Sequence, residues 1–408
     1  MAGYRLPLIE STRARGLGVV LDQAARERDQ GVRPRYAVWE LTLRCDLSCH
    51  HCGSRAGRAR ADELSLPEAL DLVGQMARLG VQEVTLIGGE AYLYEGWLDV
   101  VRAICEHGMV CTMTSGGRGI TEQLAQDAAR AGLGSVSISI DGVEETHDEL
   151  RGLTGAYQAA LRAFSALHAA RIPVAMNTNI NRKNSAQIEA IFDLAAEQAC
   201  HGWQVFLTVP MGRAADTADL VLQPFDLLDI MPRIDQLKKR AFEVPMRLLP
   251  GNNIGYFGPG EYRLRGDLRS AEKSSCSAGS STLGIEANGD IKGCPSLFSS
   301  DWVGGNVREH RLIDIWQRSD KLRFIRDRSV DDLWGFCRGC YYAEQCLAGC
   351  SWTASAFLGR TGNNPYCHHR VLDFQARGLK ERMVRLESPP GEAFDRALWE
   401  IQIEDILS

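Results

Sequence analysis

The sequence predicts an α/β protein, a partial (β/α)6 barrel followed by a small cysteine-rich domain, and three observations carry this. From Tyr36 to about Val209, short apolar runs alternate with longer amphipathic ones, the signature of repeated βα units around a parallel sheet. Six units can be placed, and no convincing seventh and eighth follow, which favours an open or partial barrel over a complete eightfold one. Beyond them, seven of the 13 cysteines crowd the last third of the chain.

The elements follow in order. "YAVWELTL" (36–43) is a strand ending just before the first cysteine, and "SLPEALDLVGQMARLG" is a helix, with Ser65 and Glu68 in capping-box spacing and Gly80 at its stop. Strands are expected at 81–87, 109–114, 135–140, 173–180 and 203–209. Helical patterns lie near 95–107, 121–132, 157–170 and 185–199. In such sheets the chemistry gathers at the carboxyl ends of the strands. Every unusual cluster falls there: the cysteines after the first strand, "GGEAYL" after the second, "SGG" after the third and "DGVEETHDELRG" after the fourth. Near the same end, Asp148, Glu149, His147, Tyr92 and Tyr94 read as solvated loop.

Composition limits the function. A formal charge of -6 argues against nucleic acid as a partner, and there is no signal-peptide-like start and no apolar run long enough for a membrane. The protein reads as cytoplasmic, a compartment in which clustered cysteines suggest metal or catalysis rather than disulfides. Cys105, Cys111 and Cys200 stand apart and read as buried small hydrophobes. Cys45, Cys49 and Cys52 form a Cys-x3-Cys-x2-Cys loop, one ligand too few for a closed metal site.

That loop, followed by Gly-Gly-Glu after the second strand, resembles the radical S-adenosylmethionine (radical SAM) enzymes over residues 36–213. The resemblance implies that Cys45, Cys49 and Cys52 hold three irons of a 4Fe-4S cluster, and that the fourth iron takes the amine and carboxylate of S-adenosylmethionine. It implies further that Gly88 and Gly89 let the backbone approach this cofactor and that Glu90 receives its ammonium group. Ser139 and Asp141, on one face of the fourth strand, would contact the ribose, and Arg151 the carboxylate. Thr114 and Ser115 take the place of a polar third-strand motif. Asn177, Asn179 and Arg213 would reach adenine or substrate.

The last third begins with "STLGIEANGDIKGC", a β-hairpin turning at Asn288-Gly289. Cys276, Cys294, the run Cys337-x2-Cys340-x5-Cys346-x3-Cys350, and Cys367 resemble the SPASM domain, an extension that carries two auxiliary iron-sulfur clusters; spacing alone also fits two zinc sites. By family correspondence Cys337, Cys340, Cys346 and Cys367 close the second auxiliary cluster, and Cys276, Cys294 and Cys350 bind the first. The first is then one protein ligand short, with an iron open to substrate, water or an unexpected protein ligand. The expected domains are an N-terminal extension (1–35), the barrel (36–240), a connector (241–275), the SPASM domain (276–370) and a C-terminal helical tail (371–408).

The resemblance implies three 4Fe-4S clusters, S-adenosylmethionine and an external one-electron donor of flavodoxin or ferredoxin type. The expected reaction is hydrogen abstraction from a ribosomally made peptide, giving a crosslink or an oxidation. The 35 residues before the first strand are too few for a folded leader-binding module, so recognition of a leader would need another chain or another surface. The alternatives are a tetrapyrrole-modifying enzyme, a sulfatase-type maturase and, outside enzymes, an iron-sulfur electron-transfer protein.

Overall fold

Strands buried on both faces read as near-continuous apolar runs, and β1 (Tyr36–Thr42) shows it, with six of its seven residues buried. The computed structural model describes residues 31–266 and 276–406; most of the expected N-terminal extension and the end of the expected connector lie outside them. β2 (Glu83–Gly88), β3 (Val110–Ser115), β4 (Ser135–Ser139), β5 (Val174–Ile180) and β6 (Gly202–Leu207) follow β1 in sequence order, all parallel. Each begins and ends within about two residues of its expected bounds.

The crossover helices are α1 (Leu66–Leu79), α2 (Trp97–Glu106), α3 (Glu122–Ala131), α4 (Glu144–Arg151), α5 (Ala156–Ala169) and α6 (Ile188–Glu197). The α1 start is held by Glu68, whose carboxylate accepts the Ser65 backbone N–H at 2.8 Å, and its end by Gly80 at φ 96°. α4 occupies what the sequence presents as polar loop. α7 (Leu227–Arg240) leads to β7 (Arg247–Pro250), a further parallel strand on the β6 edge, inside the expected connector. Four residues are too few to show a period, so the sequence does not reveal it.

The sheet also grows at its other edge. β8 (Thr282–Ile285) pairs in parallel with β1, Tyr36 opposite Thr282, and β9 (Asp290–Lys292) and β10 (Gly305–Asn306) continue it antiparallel. The resulting ten-stranded sheet does not close, because β7 and β10 are its two edges. Trp39, Leu283, Ile285, Ile291 and Trp316 share one apolar core, so the cysteine-rich part is built onto the barrel rather than tethered beside it.

The expected helical tail is corrected. α8 (Ser351–Leu358) and α9 (His368–Ala376) are helical, but β11 (Leu379–Glu387) and β12 (Leu398–Asp405) then form an antiparallel hairpin. Its Lys, Glu and Arg content favours helix, whereas the order of Trp399, Ile401 and Ile403 has the two-residue period of a strand. No helix among the described residues is long and apolar enough to cross a membrane.

Candidate functional site

The cysteine loop is folded by backbone contacts at the ends of β1 and β2. Cys45 N–H donates to Gly57 O at 3.1 Å and Gly57 N–H to Leu43 O at 2.8 Å, closing the loop on itself. Gly89 N–H reaches Thr42 O at 2.7 Å and Glu90 N–H reaches Arg44 O at 2.8 Å. A Cβ on Gly88 would lie 2.2 Å from Thr42 O, and one on Gly89 would lie 2.1 Å from Arg44 O. The absence of a side chain at these glycines thus lets the end of β2 lie against the end of β1 and the start of the cysteine loop, and both glycines also line the adjoining cavity. Arg213 serves the same loop, donating to Cys49 O at 2.7 Å and Ala56 O at 3.1 Å, and also lines the adjoining cavity.

Around this loop lie the ends of the next strands. Glu90 is fully buried, and its carboxylate accepts Ser115 Oγ–H at 2.6 Å and Gly116 N–H at 2.7 Å. Burial nevertheless pushes its pKa up to about 7, and Asp46 adds to the rise. Cys45, Asp46 and Glu90 bring ligand atoms within 4.8 Å of one another. Such an acidic group with little internal compensation is complementary to an ammonium. Thr114, Ser115, Ser139 and Asn177 line the adjoining cavity, and Asn177 Oδ1 is buried without a partner.

Asp141 departs from expectation. β4 ends at Ser139, and the fully buried Asp141 turns away from the cavity. Its Oδ2 pairs with Arg151 Nη2 at 2.5 Å and His51 Nε2 at 3.0 Å, while Oδ1 accepts Asn179 N–H at 2.8 Å. Against burial, which alone would raise it, Arg151 and His51 hold this carboxyl below the usual range. It is a positioning residue that aims Arg151, which lines the cavity and whose Nη1 lies 3.6 Å from Cys49 Sγ. His51 was missed by sequence reasoning, although it stands directly before the third cysteine.

The "solvated loop" residues also need correction. His147 is buried beneath Asp141, whose N–H it accepts at 3.2 Å, and burial lowers its pKa to about 3. Tyr92 is buried as well and donates to Asp46 Oδ2 at 3.0 Å, and the buried Tyr94 donates to Leu64 O at 2.7 Å.

Across the cavity stand Cys276, Cys294 and Cys350. They line the same space of about 620 Å³ as Cys45, Cys49 and Cys52, so one chamber joins the two cysteine trios. Cys337, Cys340, Cys346 and Cys367 lie outside its lining; Cys337 packs with Leu333 and Ala348, and Cys346 and Cys367 pack with Tyr256. Between Cys346 and Cys350 the chain takes three left-handed residues in a row, Leu347 (φ 48°), Ala348 (φ 64°) and Gly349 (φ 59°). Two of them are not glycine, a strain of about 1–2 kcal/mol each that surrounding contacts must hold. Arg328 does so in part, donating to Leu347 O at 3.3 Å and Ser351 Oγ at 3.1 Å.

Burial pushes the thiols up, Cys294 to about 11 and Cys45, Cys350 and Cys367 to about 12. Buried sulfurs grouped without disulfides fit iron-sulfur clusters, whose positive irons hold the thiolate form. The donor sets of both ends thus fit the groups the sequence implied.

Comparison with known proteins agrees. The model of the radical SAM superfamily matches residues 39–195, and that of SPASM, an iron-sulfur cluster-binding domain, matches 276–341. The AdoMet-dependent heme synthase of Methanosarcina barkeri is 30% identical over 83% of this chain and 97% of its own. The mycofactocin maturase MftC of Mycobacterium tuberculosis is 29% identical over 82% of this chain and 83% of its own. In fold, SuiB of Streptococcus suis bound to S-adenosylmethionine superposes with a TM-score of 0.64 at 17% identity, covering 84% of this chain and 78% of that one. The two matched domains imply 4Fe-4S clusters and S-adenosylmethionine as cofactors. The chain belongs to the radical SAM superfamily and carries a SPASM iron-sulfur domain after its barrel.

Proposed function

We propose that this enzyme modifies a ribosomally made peptide, forming a crosslink or an oxidised product after hydrogen abstraction. The observation that carries the reading is the chamber between the two cysteine trios. The side-chain amides of Asn179 and Gln204 line it without a hydrogen bond among the described residues, and Asn177 Oδ1 is likewise unpartnered. Free amides suit the alternating donors and acceptors of a peptide backbone. Its two guanidinium groups are already engaged, Arg151 with Asp141 and Arg213 with the cysteine-loop carbonyls. A substrate rich in carboxylates would find few cations here.

When bound at Cys45, Cys49 and Cys52, the cluster with S-adenosylmethionine supplies a 5'-deoxyadenosyl radical. The chain's own residues then divide the remaining work. Glu90 receives the ammonium end of the cofactor in a carboxylate fixed by Ser115 and Gly116, and Arg151, aimed by Asp141, receives its carboxylate. Ser139 and Thr114, which line the chamber, would hold the cofactor's sugar and base. Gly88 and Gly89 hold the cysteine loop against the ends of β1 and β2. In this reading the enzyme draws single electrons from a flavodoxin or ferredoxin and takes its peptide with help from a separate leader-binding protein.

A second reading, a tetrapyrrole-modifying enzyme, is favoured by the 30% identity to a heme synthase over nearly its full length. Anaerobic incubation with dithionite, S-adenosylmethionine and either candidate short peptides or an iron porphyrin bearing propionates separates the two. A peptide mass change with matching 5'-deoxyadenosine is expected. Conversion of the porphyrin alone would replace the first reading with the second. No 5'-deoxyadenosine under any condition would leave an electron-transfer protein.

A further inference from the structure

The three cysteines at the far end of the chamber leave the first auxiliary cluster without a fourth cysteine, and one buried polar atom of a ring packed against Cys350 has no partner among the described residues. Tyr256 is 1% exposed and packs in a single apolar cluster with Cys346, Cys350 and Cys367. Its backbone is fixed by His369 N–H, which donates to Tyr256 O at 2.9 Å. The Arg265 guanidinium covers the ring at 4.7 Å from its centroid and is itself tied to Glu261 at 2.7 Å and Gly255 O at 2.9 Å.

The hydroxyl end of the ring lies against the strained turn. A Cβ on Gly349 would sit 2.5 Å from Cε2 and 2.8 Å from Cζ, so the glycine before Cys350 is what admits this ring. The hydroxyl makes no hydrogen bond among the described residues. A phenol is neutral at ordinary pH, so this hydroxyl is an O–H donor. A neutral O–H donor buried among metal-binding sulfurs, with no oxygen acceptor, is matched by one kind of partner, an electron-rich sulfur of the bound cluster.

We propose that the Tyr256 hydroxyl donates a hydrogen bond to a sulfur of the cluster held by Cys276, Cys294 and Cys350, and that this bond raises the cluster's reduction potential. The donor stabilises the more negative, reduced form, so the bond favours electron arrival at the cluster nearest the chamber. Tyr256 touches no substrate in this account. It acts as a positioning residue, and the role does not depend on whether the substrate is a peptide.

The test compares wild-type enzyme with Tyr256→Phe, both reconstituted to about 12 irons per chain, three clusters of four. Potentials are read by electron paramagnetic resonance during a redox titration. The signal that responds to added S-adenosylmethionine belongs to Cys45, Cys49 and Cys52 and serves as reference. One auxiliary signal is expected at lower potential in the variant, with the reference unmoved. Three unmoved potentials overturn the proposal. Loss of one iron with a 3Fe signal also overturns it, because the hydroxyl would then be a ligand rather than a donor. Should the variant fail to fold, replacing tyrosine with 3-fluorotyrosine strengthens the donor in an otherwise intact chain. The same auxiliary potential must then move upward, and a null or downward shift overturns the proposal.

Discussion

The two cysteine trios that face each other across the chamber are assembled in opposite ways. Cys45, Cys49 and Cys52 come from one short loop, whose shape is fixed by backbone bonds to the ends of β1 and β2 and by polar side chains. Cys276, Cys294 and Cys350 come from three separate segments and meet only because β8 pairs with β1 and the chain later returns. The first trio sits among committed charges, Glu90, Asp46 and the Asp141–Arg151 pair. The second sits among aromatic and apolar groups with Tyr256, with Arg328 as a half-buried cation at the Cys350 turn. A site that binds a charged cofactor needs fixed ions, whereas one that stores electrons gains from a dry, weakly polar wall.

The largest effects come from removing one sulfur from each end. Cys49→Ala is expected to lose about four irons and all cleavage of S-adenosylmethionine. Cys350→Ala is expected to lose a similar number of irons while substrate-free cleavage survives. Iron analysis and 5'-deoxyadenosine measured by chromatography decide it, and abolition of cleavage in both variants would break the division of labour.

Next in size is Arg151→Gln, which leaves Asp141 fully buried with only His51 and backbone support. Breaking a buried pair from one side costs about 3–5 kcal/mol. A fall in Tm together with at least tenfold weaker S-adenosylmethionine binding is expected, measured by calorimetry. Asp141→Asn should weaken binding less, because Arg151 keeps its charge at the cavity. If binding is unchanged in Arg151→Gln, the arginine only supports the fold.

A smaller effect tests the hairpin that replaced the expected tail helix. Arg370 and Glu381 form a buried bidentate pair at 2.6 and 2.7 Å, tying α9, just after Cys367, to β11. Glu381→Gln keeps the shape and strands the cation, at about 2 kcal/mol. Thermal melting should show the loss in holoenzyme. Unchanged melting would mean that the hairpin is a loosely held lid rather than a buttress for the second auxiliary site.

How much of this was legible follows from the same contrast. The first trio, Gly88, Gly89 and Glu90 could be read because spacing along one strand-loop unit fixes geometry locally. The six strands were legible because buried apolar residues recur in short runs, near-continuous in β1 and alternating with polar residues in β3, β4 and β5. Asp141 was misassigned because strand alternation was extended past Ser139, where the strand stops. His51 went unread because its role depends on Asp141, which lies 90 residues away in sequence. β7 and Tyr256 left no pattern at all, one being four residues long and the other one of several aromatics in a glycine-rich stretch. The hairpin tail was visible as alternation at Trp399, Ile401 and Ile403 but was outweighed by helix-forming charges.

The smallest predicted effect concerns the seam where barrel and SPASM domain meet. Glu40 on β1 and Glu286 after β8 share Arg60, at 3.3 Å and 2.9 Å, and Lys292 adds a second cation to Glu286 at 2.7 Å. Both cations therefore serve Glu286, and Glu40 keeps only part of one. Burial pushes Glu40 up to about 7, with Arg60 opposing. For an acid whose folded pKa exceeds its unfolded one, the folded state binds more protons in between, so its contribution to stability is fullest below about 4.5 and is lost as pH rises toward 7. Glu40→Gln removes that proton uptake. The Tm difference between variant and wild type should therefore move in the variant's favour as pH rises from about 5.5 to 7.5. A difference that stays flat across this range would mean that Arg60 keeps Glu40 ionised throughout and that the seam is a fully paired charge cluster. A difference that moves the predicted way would make Glu40 a carboxyl that titrates beside the substrate chamber at working pH.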